Sequence, residues 1–285
     1  MGAGITARMK PTLLATFLLI SSSAFAADTG TPGGLPPGEQ GAKAVLEKSP
    51  RHGEWVDVTV PNSKTPLRSY IVYPERKDKA PVVIVIHEIF GESDWIRSVA
   101  DQLAADGFIA IAPDMLSGHG KDGGGTDTFA GRDDVVKAIR GLKPEEVMAD
   151  LNASREYGAK LPASSGKTAT IGFCWGGGQS FAYATAQPGL SAAVVYYGTP
   201  PAEDALAKIA CPILGLYGGN DNRVTATVEP TAAAMKKLGK PYTPHVYDGA
   251  GHGFLRAQDG ANGANKKAAD QAWPATIEFL RANTK

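Results

Sequence analysis

Apolar residues in this chain come in two patterns: short unbroken blocks, and longer stretches where they recur every third or fourth position. The blocks are residues 81–87, 108–113, 168–173, 192–197 and 212–217, rich in Val, Ile, Ala and Tyr, and residues 243–247 read as one further strand. Blocks of that length and β-branched content suit parallel strands covered on both faces. Upstream, residues 54–60 and 67–73 alternate and are split by Pro61-Asn62-Ser63-Lys64, so they are expected to form an antiparallel pair at a sheet edge. Helical periodicity fills the intervals at residues 93–105, 133–140, 144–157, 179–184, 202–208, 225–238 and 264–281. Pro144-Glu145-Glu146 makes a favourable first turn. Strands alternating with helices imply an α/β domain running from residue 51 to 285, with a mostly parallel sheet of about eight strands and right-handed crossovers.

Two regions fall outside this alternation. Residues 1–26 hold basic Arg8 and Lys10, an apolar core from Leu13 to Ile20, and Ala24-Phe25-Ala26, the three parts of a secretory signal peptide. The apolar core is about half the length of a membrane span, so cleavage, export to a bacterial periplasm and a mature protein without a membrane span are expected. Residues 27–50 are rich in Gly and Pro and read as a linker. Inside the domain, residues 117–131 form a glycine-rich loop, which in a compact fold is either functional or disordered.

The 285 residues carry 29 basic and 29 acidic side chains, a balance that points away from nucleic acid and other polyanion partners. A monomer acting on a small molecule is expected. There are two cysteines, Cys174 and Cys211. An oxidising compartment could join them, but Cys211 opens a strand and Cys174 follows one, which sets them at opposite ends of a parallel sheet. No H-x-x-x-H or C-x-x-C spacing supports a metal, and no cofactor is expected.

Cys174 sits in Gly172-Phe173-Cys174-Trp175-Gly176, after a β-branched run and before a helix. This is the G-x-nucleophile-x-G spacing of an α/β-hydrolase elbow, with cysteine in place of serine. Glycines two positions either side remove collisions at a strained turn, and the positive end of the following helix favours a thiolate. The plainer reading is a small buried residue on a turn. Its partners decide: Asp221 follows one later strand, and His252 follows the next. Nucleophile, acid, base is the chain order of the α/β-hydrolase triad. Taken alone, Asp221 could be an ordinary turn residue and His252 a solvated one. The other histidines fit less well: His52 lies ahead of the first strand, His245 is in a strand, His119 in the glycine-rich loop and His87 ahead of a different loop. That loop, His87-Glu88-Ile89-Phe90-Gly91, follows the block ending at Ile86, where one oxyanion-hole amide arises in such folds. By position the two amides are those of Ile89 and Trp175.

Gly172–Gly177 with Glu88-Ile89-Phe90-Gly91, Asp221 in Gly-Gly-Asn-Asp, and Gly251-His252-Gly253-Phe254-Leu255-Arg256 resembles the dienelactone hydrolase (carboxymethylenebutenolidase) family over about residues 54–282. The resemblance implies an α/β-hydrolase fold and hydrolysis of an ester or lactone through a thioester on Cys174, with His252 and Asp221 completing the triad. It further implies that Glu88 pairs with the resting nucleophile and helps activate it, and that Arg256 and Arg132 hold a substrate carboxylate. An exposed role is the competing reading for both arginines. The sequence departs from the family pattern at Val135, Val136 and Ile139, where aromatic substrate contacts are expected, and in its export segment and glycine-rich loop. These departures leave the substrate open and the reaction type intact. A broader carboxylesterase or thioesterase on the same triad is the alternative within enzymes; a silent secreted binding protein is the alternative outside them.

Overall fold

Strands β1 (Gly53–Val58) and β2 (Leu67–Val72) pair antiparallel, with Gly53 opposite Val72 and Val58 opposite Leu67, at one edge of the sheet. Then follow β3 (Ala80–Ile86), β4 (Ile109–Pro113), β5 (Ser164–Phe173), β6 (Ala192–Tyr196), β7 (Ile213–Gly218) and β8 (Tyr242–Tyr247). Together they form one eight-stranded sheet in the order β1-β2-β4-β3-β5-β6-β7-β8. Pairing is parallel from β4 through to β8, as the unbroken apolar blocks require. The computed structural model describes residues 1, 2, 4 and 33–285, so the expected signal peptide, apart from those three residues, and the first part of the linker lie outside the described residues.

The α-helices in chain order are α1 (Glu39–Leu46), α2 (Asp94–Ala105), α3 (Arg132–Gly141), α4 (Pro144–Lys160), α5 (Trp175–Ala186), α6 (Asn222–Thr225), α7 (Val228–Lys237) and α8 (Ala264–Asn283). Ser93 caps α2, its hydroxyl accepting from the Ile96 amide at 3.4 Å. One face of the sheet packs against α1, α2 and α8 through Trp95, Val99, Phe173, Tyr196, Phe254 and Trp273. The other packs against α4, α5 and α7 through Ile84, Ile86, Leu151, Phe181, Val195 and Met235. Phe173, Phe181 and Phe254 are fully buried, each contributing on the order of 1.5–3 kcal/mol by leaving water. Two such layers on one twisted sheet place the loops beyond the strands' carboxyl ends along a single rim.

Two expectations are corrected. From residue 33 onward the expected linker is docked structure: α1 buries Ala42, and the Trp95 indole donates to the Pro37 carbonyl at 3.1 Å. The Gln258 amide donates to the Pro36 carbonyl at 2.8 Å, and the Glu39 backbone amide donates to the Arg256 carbonyl at 2.9 Å. Gly and Pro report only that a segment lacks regular structure of its own; partners more than fifty residues away order it here. The helix expected at residues 225–238 starts earlier, as the single turn α6, and then breaks before α7.

Candidate active site

The bend at Cys174 is strained. It has φ 55° and ψ −114°, a conformation costly for a residue with a side chain, between the end of β5 and the start of α5. Its amide donates to the Tyr196 carbonyl at 3.0 Å, which locks the bend to the neighbouring strand. The flanking glycines are there for space: a Cβ on Gly172 would lie 2.0 Å from the Gly176 carbonyl oxygen, and one on Gly176 would lie 2.3 Å from that of Ile86.

The amides of Trp175 and Ile89 both face the Cys174 sulfur and favour the thiolate, as does the more distant Arg223 charge. Burial and the nearby Glu88 carboxylate act the other way and prevail, raising the thiol pKa and favouring the neutral thiol. Ile89 is positioned by the two nitrogens of the buried His87. The Met115 amide donates to His87 Nε2 at 3.2 Å, which puts the ring proton on Nδ1, and that N–H donates to the Glu88 carbonyl at 2.8 Å. The imidazole also stacks on Trp175 at 5.5 Å, tying together the two segments that supply the amides. Burial lowers the His87 pKa, in keeping with a neutral ring.

Asp221 and His252 meet at the same rim. Asp221 sits in the turn after β7, and its carbonyl accepts the Val224 and Thr225 amides at 3.0 and 2.8 Å. Its carboxylate Oδ2 lies 2.5 Å from His252 Nδ1, with the Asp221 side chain only 8% exposed. The His252 loop is fastened by the Gly251 amide donating to Asn265 Oδ1 at 2.9 Å and by the Asn220 amide donating to the Ala250 carbonyl at 2.9 Å. Among the described residues no hydrogen bond joins the Cys174 sulfur to His252. Both cysteines are free thiols.

A charged cluster adjoins the thiol. Glu88 is buried, with Arg256 Nε 2.6 Å from its Oε2. Burial pushes its carboxyl up to about 7, against the pull of Arg256 and Arg132. Arg256 and Arg132 lie over the Phe90 ring, their guanidinium carbons 5.1 and 3.5 Å from its centroid. Both reach one further carboxylate, Glu39 of α1.

All the sequence-predicted site residues therefore gather on one rim. Sequence reasoning missed three others. Tyr197, just past β6, is buried at φ 39° with its ring 5.1 Å from His252, and its hydroxyl is unpaired among the described residues. A pair of tyrosines ending a buried strand is the only signal for it in the sequence. His87 is a poor candidate base by position, and its role in holding Ile89 has no local signature. Glu39 lies inside the expected linker. The glycine-rich loop is folded: Thr126 donates its hydroxyl and its amide to Asp114 at 2.7 Å each, and the Glu92 amide donates back to Thr126 Oγ1 at 3.1 Å. Its Phe129 packs with Ile89 and Trp175 against Val135 and Ile139, so two of the three aliphatic residues that depart from the family pattern pack against the residues that supply the two amides.

An eight-stranded, mostly parallel sheet with a strained elbow before α5 defines the class, an α/β-hydrolase. The chain belongs to the dienelactone hydrolase family, whose model matches residues 67–284. The carboxymethylenebutenolidase of Pseudomonas sp. (strain P51) is 32% identical over 213 residues, covering 72% of this chain and 86% of that protein. A relative from Yersinia pestis is 31% identical over 212 residues, 70% of this chain and 78% of its own. Among solved structures, a homologue from Klebsiella pneumoniae superposes with a TM-score of 0.68 at 26% identity, covering 81% of this chain and 99% of that one. The dienelactone hydrolase of Anabaena variabilis shares the fold at a TM-score of 0.62 and 21% identity, over 82% of this chain and 99% of its own.

Proposed function

We propose that the protein hydrolyses carboxylic esters or lactones through an acyl-enzyme on Cys174, with His252 as base and Asp221 as its orienting acid. The observation that carries this reading is the strained Cys174 bend, with its sulfur facing the amides of Ile89 and Trp175, beside a His252–Asp221 pair at 2.5 Å. The acid holds the imidazole proton on Nδ1 and leaves Nε2 free to act on a proton.

In this reading the resting thiol occupies the amide pair and turns out of it when substrate binds. His252 Nε2 takes the thiol proton and the sulfur attacks the carbonyl carbon. The resulting oxyanion takes the place the sulfur held, between the two N–H groups. The C–O bond to the leaving group then breaks, and His252 returns the proton to the departing oxygen. With a lactone that oxygen stays in the same molecule. Water, deprotonated by His252, attacks the thioester, releasing the acid and restoring the thiol. Glu88 keeps the resting thiol protonated until substrate binds, and Arg256 with Arg132 forms a fork suited to a carboxylate.

Cys174→Ala should abolish turnover of p-nitrophenyl acetate, and mass spectrometry of the wild type mixed with substrate should find an acyl adduct on Cys174. Near-wild-type activity in the variant would show that another residue is the nucleophile. Export also belongs to this proposal: N-terminal sequencing of protein from the periplasm should begin near Ala27, and a start at Met1 would refute it.

A further inference from the structure

The charged cluster beside the thiol contains a carboxylate that no step of the proposed reaction uses. Glu39 is the first residue of α1, and its side chain reaches both rim arginines: Arg256 Nη1 on one oxygen, and Arg132 Nη2 at 3.7 Å from the other. The chain holds it there from several sides. Its amide donates to the Arg256 carbonyl at 2.9 Å, Gln40 Nε2 donates to Asp259 Oδ2 at 3.1 Å, and a Cβ on Gly38 would lie 3.3 Å from the Arg256 carbonyl oxygen. The Phe90 ring beneath the two guanidiniums limits their freedom to turn elsewhere.

Two guanidiniums converging on one point form a receptor for a carboxylate, and this receptor is filled from within the same chain. Glu39 offsets one guanidinium outright and Glu88, to the extent that it is ionised, offsets the other, so an incoming anion meets little net positive charge. It must also displace a carboxylate tethered through α1, whose effective concentration is of the order of millimolar. The Glu39 side chain is 44% exposed and faces solvent at the rim, so displacement is open to a ligand but opposed.

We propose that Glu39 is a specificity-determining residue: its carboxylate occupies the Arg132–Arg256 pair and turns the site toward substrates with an uncharged acyl group and away from those bearing a carboxylate. This rests on the reading of Cys174 as nucleophile, and the test separates the two. The first measurement needs no turnover. Iodoacetamide and iodoacetate alkylate the same sulfur by the same step, in which the S–C bond forms, the C–I bond breaks, iodide leaves and the thiol proton passes to solvent. They differ only in the carboxylate.

With the site of modification located at Cys174 by peptide mass spectrometry, Glu39→Gln should raise the iodoacetate-to-iodoacetamide rate ratio roughly tenfold, the effect of one charge at close range in a screened setting. Adding Arg132→Gln should cancel most of the rise. Glu39→Asp, which withdraws the carboxylate by one methylene, should give an intermediate ratio and serves as the second variant if the first folds poorly. A ratio unchanged in both variants overturns the proposal. The second measurement compares kcat/KM for mono-p-nitrophenyl glutarate with that for p-nitrophenyl acetate, and their ratio should move with the alkylation ratio. If neither ester turns over while the alkylation ratio shifts, the hydrolase reading fails and the role of Glu39 as a charge gate stands. If both esters turn over and neither ratio moves, the hydrolase reading stands and the charge gate fails.

Discussion

Alanine at Gly176 tests the elbow at its tightest contact. The added Cβ would lie 2.3 Å from the Ile86 carbonyl oxygen and 2.4 Å from that of His87, whereas carbon and oxygen in contact sit about 3.3 Å apart, so one side must retreat by roughly 1 Å. Neither side has a flexible end to give, because both oxygens are backbone at the end of β3 and Gly176 is in the first turn of α5. Overpacking of this kind costs about 1–3 kcal/mol, and in a protein of this size each kcal/mol lowers the melting temperature by about 2–4 °C. The larger effect is on the site. The carbonyls that must move lead into the loop carrying Ile89, and the helix start carries Trp175, so the retreat widens the gap between the two amides. A misplacement of about 1 Å costs on the order of a hundredfold in rate. Thermal melting followed by circular dichroism, with kcat on p-nitrophenyl acetate, reads both. A variant that melts within a degree of wild type and keeps its kcat would show that the elbow is not held as the structure has it.

Three further outcomes follow from the geometry. Asp221→Asn should leave the fold intact and lower kcat by about 10⁴-fold, since an amide can orient His252 in the wrong tautomer; a loss under tenfold would mean that His252 works without this partner. Glu92 is buried, has one oxygen unpaired among the described residues, and is pushed up to about 8, chiefly by burial and against the pull of Arg97. A carboxyl whose folded pKa is raised binds more protons folded than unfolded, so its contribution to stability is full below the unfolded value near 4.5 and is lost as pH rises to about 8. Glu92→Gln should therefore flatten the decline of melting temperature between about pH 5 and 8, and curves of equal slope would refute the assignment. Finally, Tyr197→Phe removes a buried hydroxyl that has no partner among the described residues, so it should be neutral or stabilise by about 1 kcal/mol in urea unfolding. Destabilisation by more than that would show that the hydroxyl is bonded in the folded protein.

The sequence by itself determined the elements and where the candidate site residues fall among them. Unbroken β-branched blocks alternating with 3.6-periodic stretches specify a parallel sheet between helices, because each block must be covered on both faces. Glycines at 172 and 176 announce a bend too tight for side chains, and Asp221 and His252 follow later strands in the order an α/β-hydrolase triad requires. These features are local, so they are legible without coordinates. What only the tertiary structure decided is which distant groups meet. The Gly- and Pro-rich segment before the domain has no periodicity to read, yet from residue 33 it is ordered by Trp95, Arg256 and Gln258, whose positions no local pattern encodes. The protonation of Cys174 was open for the same reason. A helix start and a carboxylate push a thiol in opposite directions, and the balance depends on how deeply the sulfur is buried and how near Glu88 lies. Electrostatic effects of that kind depend on distance and burial across the fold, and neither is a property of any one stretch of chain.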